Sequence, residues 1–443
     1  MEDTKKKDME GKQRITFKHI GFVLACAAVE FCCVGAWFNS AGIFYQHAAG
    51  AFNVGLGQVA LYISMTYIVT IFALPIGGKL LESKSARAIY VVTNILMFAA
   101  FAINALAQNI YMMYVAGAFA GLMGAFDMYL LPVMIARWFK ERTGLVVGLA
   151  ASLSGAGAAL WNVLIQIVIQ DAGWRWGYGT LAIIVAVVVV PLVACFMKSY
   201  PEEAGVLPYG ERLDGNSNEA PVLDFLILKG ASFDKVVKSV AFYMMIIMAL
   251  TAGLAVMASQ YLTSYATTIG YSAMVGATMT SASMIGNMSS KLILGAVADK
   301  NISLAVIGAV VFPIIGYIGM MTLGSSNAVG VIFMAFLFGF IQPSNTSVLP
   351  LVVQKLFGAK DYGRIWSFIS PFSALACAIG AAIWGFVFDA TGSFYLVFIV
   401  GIALLLTRLV AYLIALPVAK RLPQTEEKRE IKNAKTPKSV KAN

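Results

Sequence analysis

Long stretches of this 443-residue chain carry no charged side chain, and this feature limits what the chain can fold into. These stretches are 31–78, 88–126, 143–170, 176–197, 239–290, 301–354, 365–388 and 390–407. A helix that spans a bilayer needs about 20 apolar residues, so the longest stretches hold two spans each. In hydrocarbon the backbone must satisfy its own hydrogen bonds, which leaves helices or closed barrels. Because the apolar runs are continuous rather than alternating, the sequence predicts an all-α integral membrane protein.

Twelve spans are predicted, and one long polar stretch divides them into two sets of six. The predicted spans are 19–46, 57–81, 87–106, 110–137, 143–169, 175–197, 237–267, 272–298, 302–323, 328–355, 362–388 and 394–418. The expected regions are an N-terminal tail 1–18, a six-helix half 19–197, a central loop 198–236, a second six-helix half 237–418 and a basic tail 419–443.

The positions of the charged residues and the spacing of Cys and His argue against nucleic-acid-binding and metal-dependent functions. Most of the 32 Lys and Arg fall in the termini and in alternate loops, which is typical of the cytoplasmic side of a membrane protein. We therefore expect a multi-pass protein of the cell membrane with both termini cytoplasmic, its basic tails contacting anionic lipid rather than nucleic acid. The five Cys and two His show no metal-ligand spacing, so no metal or cofactor is expected. Nothing indicates an enzyme, and we expect a monomer.

The two predicted halves look like copies of each other. Four features recur at an offset of 217 or 218 residues: Gly78-x-x-x-Glu82 as Gly295-x-x-x-Asp299, Pro132 as Pro350, Phe139 as Phe357, and Asp171 as Asp389. Repeated matches at one offset indicate an internal duplication. Two similar six-helix halves are typical of transporters that rock around a site between the halves.

Two short motifs resemble those of major facilitator proteins. Gly295-Ala-Val-Ala-Asp299-Lys300 is similar to the loop motif that this superfamily places after helices two and eight, with a degenerate first copy from Gly78 to Arg87. Gly173-Trp174-Arg175-Trp176 resembles the turn between its helices five and six. The resemblance implies two pseudo-symmetric six-helix halves, alternating access, and a gate on the cytoplasmic side. The candidate gating residues are Glu82, Arg87, Asp299 and Lys300.

A narrower resemblance covers residues 35 to about 210. The segment Gly35 to Tyr45 is similar to the first helix of monocarboxylate transporters, and the segments 129–144 and 201–210 resemble the oxalate/formate antiporter family. Lys291 stands where these families place an Arg in helix eight. The chain departs from the monocarboxylate transporters at Asn39, which replaces a Lys, and at Asn287, which replaces an Asp. Oxalate transporters carry a Lys in helix eleven, whereas residues 365–388 of this chain contain no charged side chain. One cation suits one carboxylate, so the resemblance implies a monocarboxylate rather than a dicarboxylate.

Four charged residues lie deep inside predicted spans, away from the span ends, where a charge is costly and calls for a role. Lys291 is the candidate anchor for an anionic substrate. Glu30 and Asp127 reach similar depth, and two acids there repel if both are ionised, so they can share a proton. They are the candidate proton-coupling residues. Arg408 lies in the last span, and we expect a structural role for it.

Polar and aromatic residues on the predicted cavity helices complete the candidate substrate site, because small organic ligands bind in mostly apolar pockets with few polar groups. These candidates are Asn39, Tyr129, Asn162, Gln166, Gln260, Tyr261, Asn287, Asn345, Trp366 and Ser370. The sequence thus predicts a proton-coupled symporter of a monocarboxylate-like anion. Two alternatives stay open, which are an organic anion exchanger and a membrane sensor that binds a solute without moving it.

Overall fold

The computed structural model describes residues 13–83, 85–141, 143–210, 225–358 and 360–430, and these ranges contain twelve long helices. The helices are α1 (Phe17–Phe38), α2 (Leu56–Ser83), α3 (Ala86–Ala105), α4 (Ile110–Gly124, continued by Ala125–Leu130 and Leu131–Trp138), α5 (Thr143–Ala172), α6 (Trp174–Phe196), α7 (Val240–Thr268), α8 (Ala273–Lys300), α9 (Ile302–Leu323), α10 (Ala328–Phe357), α11 (Tyr362–Thr391) and α12 (Tyr395–Lys420). The predicted all-α membrane fold with twelve transmembrane helices is confirmed.

Within the described residues, eleven of the twelve helices are long and apolar enough to cross a membrane, and α8 is the exception. Its sequence carries many hydroxyl and amide side chains, and several of them, such as Thr280, Ser283 and Asn287, are buried against other helices. A helix this polar is stable in a bilayer when its polar face is turned toward protein rather than lipid. The composition of α8 therefore marks it as an interior helix.

The predicted first span, 19–46, is not one continuous helix. The structure ends α1 at Phe38 and begins a second short helix, Gly42–Phe52, after a bend at residues 39–41. A glycine is required at this bend, because a Cβ on Gly42 would lie 1.8 Å from the Gln260 carbonyl oxygen of α7. The close approach of α1 to α7 thus interrupts a helix that the apolar pattern of the sequence predicts to be continuous.

Both terminal segments lie at the same end of the helical bundle, which we call the terminal face. The Lys18 ammonium donates to the Ala204 carbonyl, and the His19 ring lies 3.0 Å from the Leu207 carbonyl oxygen. In the same region β1 (Phe225–Ala231) pairs antiparallel with β2 (Gln424–Glu430). The central loop therefore contacts the N-terminal segment with one part and the C-terminal segment with another. The sequence analysis does not predict the two-stranded ribbon of β1 and β2.

The two halves meet at the end opposite to the terminal face, which we call the opposite face. The Gly42 amide donates to Gln260 Oε1 over 3.1 Å, and Gln46 Nε2 donates to the Ser264 carbonyl over 3.3 Å. In both hydrogen bonds the partners are 218 residues apart, which equals the offset of the sequence duplication. Because equivalent residues touch one another, α1 and α7 lie beside the pseudo-twofold axis that relates the halves.

A second contact between the halves joins α11 to the start of α2. The Asp389 carboxylate accepts from the Leu56 and Gly57 amides, each over 2.9 Å. Unpaired amides and the positive end of the dipole make a helix N-terminus a good site for a carboxylate. A Cβ on Gly55 would lie 2.3 Å from Asp389 Oδ2, so glycine permits the approach. The opposite face is therefore closed in this structure.

Candidate transport site

The two intramembrane acids both lie in π-helical turns. Glu30 is in the turn Val29–Val34 of α1, and Asp127 is in the turn Ala125–Leu130 of α4. A π-turn adds one residue to the helix, which changes the direction of the side chains around it and is frequent at functional sites. The backbone therefore has an irregular conformation at both acids.

Glu30 is within electrostatic range of the other two charged residues of the site. It interacts electrostatically with Lys291 of α8 and also with Asp127 of α4. Glu30 is 7% exposed and Asp127 is fully buried, whereas Lys291 is partly buried. The structure thus brings together the three charged residues that the sequence analysis assigns to substrate binding and proton coupling.

Asp127 has no hydrogen-bond partner for either carboxylate oxygen among the described residues. A buried carboxylate without hydrogen bonds or a directly bonded cation is costly, because burial removes the water that stabilises its charge. The pair of Glu30 and Asp127 faces one cation, Lys291, so the neutral arrangement of the three groups carries one negative charge on the two acids. This arrangement leaves room for one additional proton.

Lys291 lies at the contact between the halves. Its ammonium is 3.5 Å from the Ala151 carbonyl of α5, which is a long contact for a hydrogen bond. One turn earlier in α8, Asn287 is buried with its Nδ2 against Gly155 of α5, and its Oδ1 has no partner among the described residues. The protein backbone therefore holds the ammonium only weakly.

Three further candidate substrate-binding residues lie on α10 and α11. Asn345 lies in the π-turn Ser344–Val348 of α10, accepts from the Ser373 hydroxyl, and places its amide 3.6 Å from Cys377 Sγ. Trp366 and Ser370 are partly buried on α11. On the other half, Asn39 donates to the Ser154 carbonyl over 3.4 Å. These side chains lie in both halves.

Asn162 and Gln166 of α5 form a separate feature. Both are fully buried, and none of their four amide atoms has a partner among the described residues. They continue the helical face on which Gly155 and Ala159 contact α8, since residues four and seven positions apart share a face. Two unsatisfied amides therefore lie at the contact between the halves, toward the opposite face.

Gln260 and Tyr261 connect helices rather than line an open space in this structure. Gln260 uses both ends of its amide on α1 and the bend after it, accepting from Gly42 and donating to the Phe38 carbonyl. The Tyr261 hydroxyl donates to the Ala381 carbonyl of α11. Both side chains are almost fully buried. Gln260 contributes to closure of the opposite face through these hydrogen bonds, and Tyr261 contributes through an edge contact between its ring and that of Tyr45 in the first half.

The predicted gate on the terminal face remains a prediction. Arg87, Asp299 and Lys300 are exposed, and none makes a hydrogen bond or ion pair with another residue in the described part of the chain. The side chains of Glu82 and Tyr129 lie outside the part of the structure that is described.

Sequence reasoning missed the residues that join the halves and those that support the π-turns. Asp389 stood out only as one mark of the duplication, and its repeat partner Asp171 is exposed. Arg408 is fully buried and donates to the Ser344 carbonyl of α10 over 2.8 Å, which agrees with the expected structural role. The sequence marked Arg408 only as a charge inside a span, and this signal did not identify the Ser344 carbonyl as its hydrogen-bond partner.

Comparison with known proteins identifies the class. The family model of the Major Facilitator Superfamily matches residues 26–381, so the chain belongs to this superfamily of membrane transporters. A relative in Escherichia coli (strain K12), the "Uncharacterized MFS-type transporter YhjX", is 25% identical over 337 residues, covering 71% of this chain and 74% of that protein. Human "Monocarboxylate transporter 11" is 28% identical over 162 residues, or 35% of this chain and 33% of that protein.

A solved structure supports the fold. The crystal structure of a D-xylose-proton symporter superimposes with a TM-score of 0.66, covering 91% of this chain and 97% of that chain at 15% sequence identity. At this identity the likeness concerns the fold. The predicted resemblance to major facilitator transporters is confirmed, and the chain is a multi-pass membrane transporter.

Proposed function

We propose that this protein carries a monocarboxylate-like organic anion across the cell membrane together with a proton, by alternating access between its two halves. The observation that supports this proposal is the electrostatic interaction of Glu30 with both Lys291 and Asp127 inside the membrane. In this proposal the terminal face is cytoplasmic, and the protein works as a monomer with anionic lipid around its basic tails.

The coupling follows from charge balance. Without substrate, ionised Glu30 pairs with Lys291, and the site is neutral with one proton on the two acids. A second proton neutralises the pair of acids and leaves Lys291 as an unpaired cation. The substrate carboxylate then binds Lys291 and restores neutrality. Because closing the halves around an unpaired buried charge is unfavourable, only the empty and the fully loaded protein change conformation.

The other candidate residues have different parts in this proposal. Asn39, Asn287, Asn345, Trp366 and Ser370 would contact the bound anion, and Asn162 and Gln166 would line its path toward the opposite face. Tyr129 belongs with the first group. Gln260 and Tyr261 would open and close that path. Glu82, Arg87, Asp299 and Lys300 would control the terminal face.

The test is uptake into proteoliposomes of a panel of radiolabelled solutes. The panel contains short-chain and aromatic monocarboxylates, a dicarboxylate and a neutral sugar, each measured with and without an inward proton gradient. We expect gradient-driven uptake of a monocarboxylate and none of the sugar. Gradient-independent uptake that requires a carboxylate inside the vesicle would instead establish an anion exchanger. Binding of a carboxylate without any uptake would establish a sensor.

Two variants assign the roles in the same assay. Lys291→Gln is expected to reduce uptake by roughly a hundredfold or more, because the anion loses its counter-charge. Glu30→Gln is expected to retain exchange but lose accumulation driven by the gradient. The matched controls are Lys235→Gln and Glu202→Gln, which change exposed residues of the same types. Uptake by Lys291→Gln equal to that of its control would contradict the anchor.

A further inference from the structure

The π-turns of α4 and α10 occupy equivalent positions in the two halves. The turn in α4 covers Ala125–Leu130 and the turn in α10 covers Ser344–Val348. At the offset of 218 residues, Phe126 corresponds to Ser344 and Asp127 corresponds to Asn345. The duplicated element thus carries a candidate coupling residue in one half and a candidate substrate residue in the other.

The same backbone carbonyl receives a side-chain donor in both turns. The Tyr90 hydroxyl of α3 donates to the Phe126 carbonyl over 3.2 Å, and Arg408 Nη2 of α12 donates to the Ser344 carbonyl over 2.8 Å. Both donors are fully buried. Each accepting carbonyl belongs to the residue immediately before the candidate site residue, which is Asp127 in α4 and Asn345 in α10.

The two donors are not copies of each other. The position equivalent to Tyr90 in the second half is Gly308, and the position equivalent to Arg408 in the first half is Val190. The halves therefore reach the same hydrogen bond from different helices with different chemistry. The Phe126 carbonyl also accepts from the Leu131 amide, which is the i to i+5 hydrogen bond of the turn, so Tyr90 adds a second hydrogen bond there. A contact that recurs while its donors differ indicates that a side chain holds each turn at this carbonyl.

The physical reason lies in the π-turn. Its hydrogen bonds run from residue i to residue i+5, so the regular α-helical series is interrupted and carbonyls tilt away from the helix axis. In a membrane no water reaches such groups, so a side-chain donor at a carbonyl of the turn adds a hydrogen bond that water cannot replace. A donor at this carbonyl stabilises the turn relative to a regular α-helix, in which the next side chain would point elsewhere.

We propose that Tyr90 and Arg408 are positioning residues that hold the π-turns of α4 and α10 and thereby direct Asp127 and Asn345 to the transport site. This inference rests on the proposed function of those two residues. It also gives Arg408 a role: a costly buried guanidinium is retained in α12 because it stabilises the turn in α10.

The turn in α1 that carries Glu30 is tied to the same part of α3. Cys33 Sγ donates to Asn94 Oδ1 over 3.4 Å, and Asn94 Nδ2 donates to the Tyr90 carbonyl over 2.9 Å. The α3 helix therefore contacts the irregular turns of both acid-bearing helices. The titratable and charged groups around the two acids are Cys26 and Cys33 on α1, Tyr90 on α3 and Lys291 on α8, and Arg137 on α4 interacts with Tyr90.

The first test is Tyr90→Phe, which removes one hydroxyl and keeps the ring. We expect the pH of half-maximal monocarboxylate uptake to shift by about half a unit or more, because Asp127 changes its position relative to Glu30. The control is Tyr178→Phe, another buried tyrosine of the same half, whose hydroxyl contacts the Tyr62 hydroxyl over 3.2 Å. An unchanged pH profile, or equal shifts in both variants, would overturn the role of Tyr90.

The second test compares Arg408→Leu with Arg408→Gln. Leucine removes the donor, and the substrate KM is expected to rise roughly tenfold with a smaller change in kcat, since Asn345 is displaced. Glutamine keeps a donor and is expected to restore most of the parent KM. If Arg408→Leu does not fold, Arg408→Gln and Arg408→Lys still test the proposal through their KM values. Equal KM values for the leucine and glutamine variants, or a loss of substrate affinity in all three, would contradict it.

The two levels of proposal fail separately. If the parent protein takes up no monocarboxylate together with a proton, the proposed function is wrong, and if Glu30→Gln remains fully proton-coupled, the coupling role of Glu30 is wrong. If Glu30→Gln is uncoupled while Tyr90→Phe has the parent pH profile and Arg408→Leu has the parent KM, transport by proton coupling stands and the positioning roles are wrong.

Discussion

At the scale of single residues, the structure separates buried polar groups that have partners from those that have none. Asn94 is fully buried with both ends of its amide hydrogen bonded. Asn162 and Gln166 are equally buried, yet their amides have no partner among the described residues. An unsatisfied buried amide costs about 1–3 kcal/mol, so the two groups destabilise the state in which the opposite face is closed.

This difference predicts opposite effects of leucine at two buried asparagines. Asn162→Leu is expected to raise the thermal unfolding temperature in detergent, because it removes an unsatisfied polar group. Asn94→Leu is expected to lower it, because it removes the two hydrogen bonds of Asn94 with Cys33 and Tyr90, each worth about 0.5–1.5 kcal/mol. Both variants are measured against the parent by the same thermal unfolding assay. A lower unfolding temperature for Asn162→Leu would show that its amide has a stabilising partner.

The sequence predicted the charged residues of the site better than their surroundings. Charge in a span is so unfavourable that Glu30, Asp127 and Lys291 stood out without any structure. Gln260 looked like one polar candidate among many, and its position next to the pseudo-twofold axis depends on packing between distant helices. Asn and Gln carry no such signal, because their amides serve ligands and helix contacts equally well.

At the scale of helices, the Asp389 contact holds the start of α2 against the end of α11. Two hydrogen bonds of 2.9 Å from backbone amides to one carboxylate, reinforced by the helix dipole, stabilise the closed opposite face. Its repeat counterpart, Asp171, is exposed at the end of α5. Asp389 and Asp171 are therefore equivalent aspartates of which one binds the start of a helix and the other is exposed, so variants of the two can be compared directly.

Neutralising Asp389 is expected to open the opposite face. Asp389→Asn removes about 1–2 kcal/mol of stabilisation from the closed state, which corresponds to a roughly 5- to 30-fold shift toward the open state. The measurement is labelling of Ser264→Cys by a membrane-impermeant maleimide in a background without native cysteines. Ser264 is fully buried at the contact between the halves, so label reports opening. Faster labelling is expected with Asp389→Asn, and the parent rate is expected with Asp171→Asn.

An unchanged labelling rate in the Asp389 variant would show that the hydrogen bonds between Gly42, Gln46 and α7 are sufficient to hold the halves together.

The helices themselves were largely predictable, and their irregular turns were not. The spans follow from apolar length, and most predicted boundaries lie within a few residues of the observed ones. The bend at residues 39–41 and the π-turns at Glu30, Asp127 and Asn345 are hydrogen bonded to α5, α7, α3 and α12. Hydrophobic periodicity describes a regular helix and has no term for such contacts.

At the scale of the whole molecule, the duplication predicted from four sequence matches is visible as contacts between equivalent residues on the axis. Which face of the transporter is closed in the structure was not predictable from the sequence. A transporter that alternates between two arrangements has one sequence for both, and small differences in contact energy decide which is seen. Here those contacts are the ones that close the opposite face.

Charge balance predicts that transport is electrically silent. The empty site and the site loaded with one anion and one additional proton carry the same net charge. We therefore expect the initial rate of monocarboxylate uptake to be unchanged when a membrane potential is imposed with potassium and valinomycin at constant pH. A rate that rises with a potential of either sign would mean that net charge moves with the substrate.

The central claim is that each anion crosses with a proton, and the most direct measurement is substrate-driven proton movement. Proteoliposomes with a trapped pH-sensitive dye receive the transported monocarboxylate outside, with no pH gradient imposed. The account predicts acidification of the lumen with about one proton for each anion, and none above passive leak with Lys291→Gln. Uptake of the anion without acidification of the lumen would contradict it.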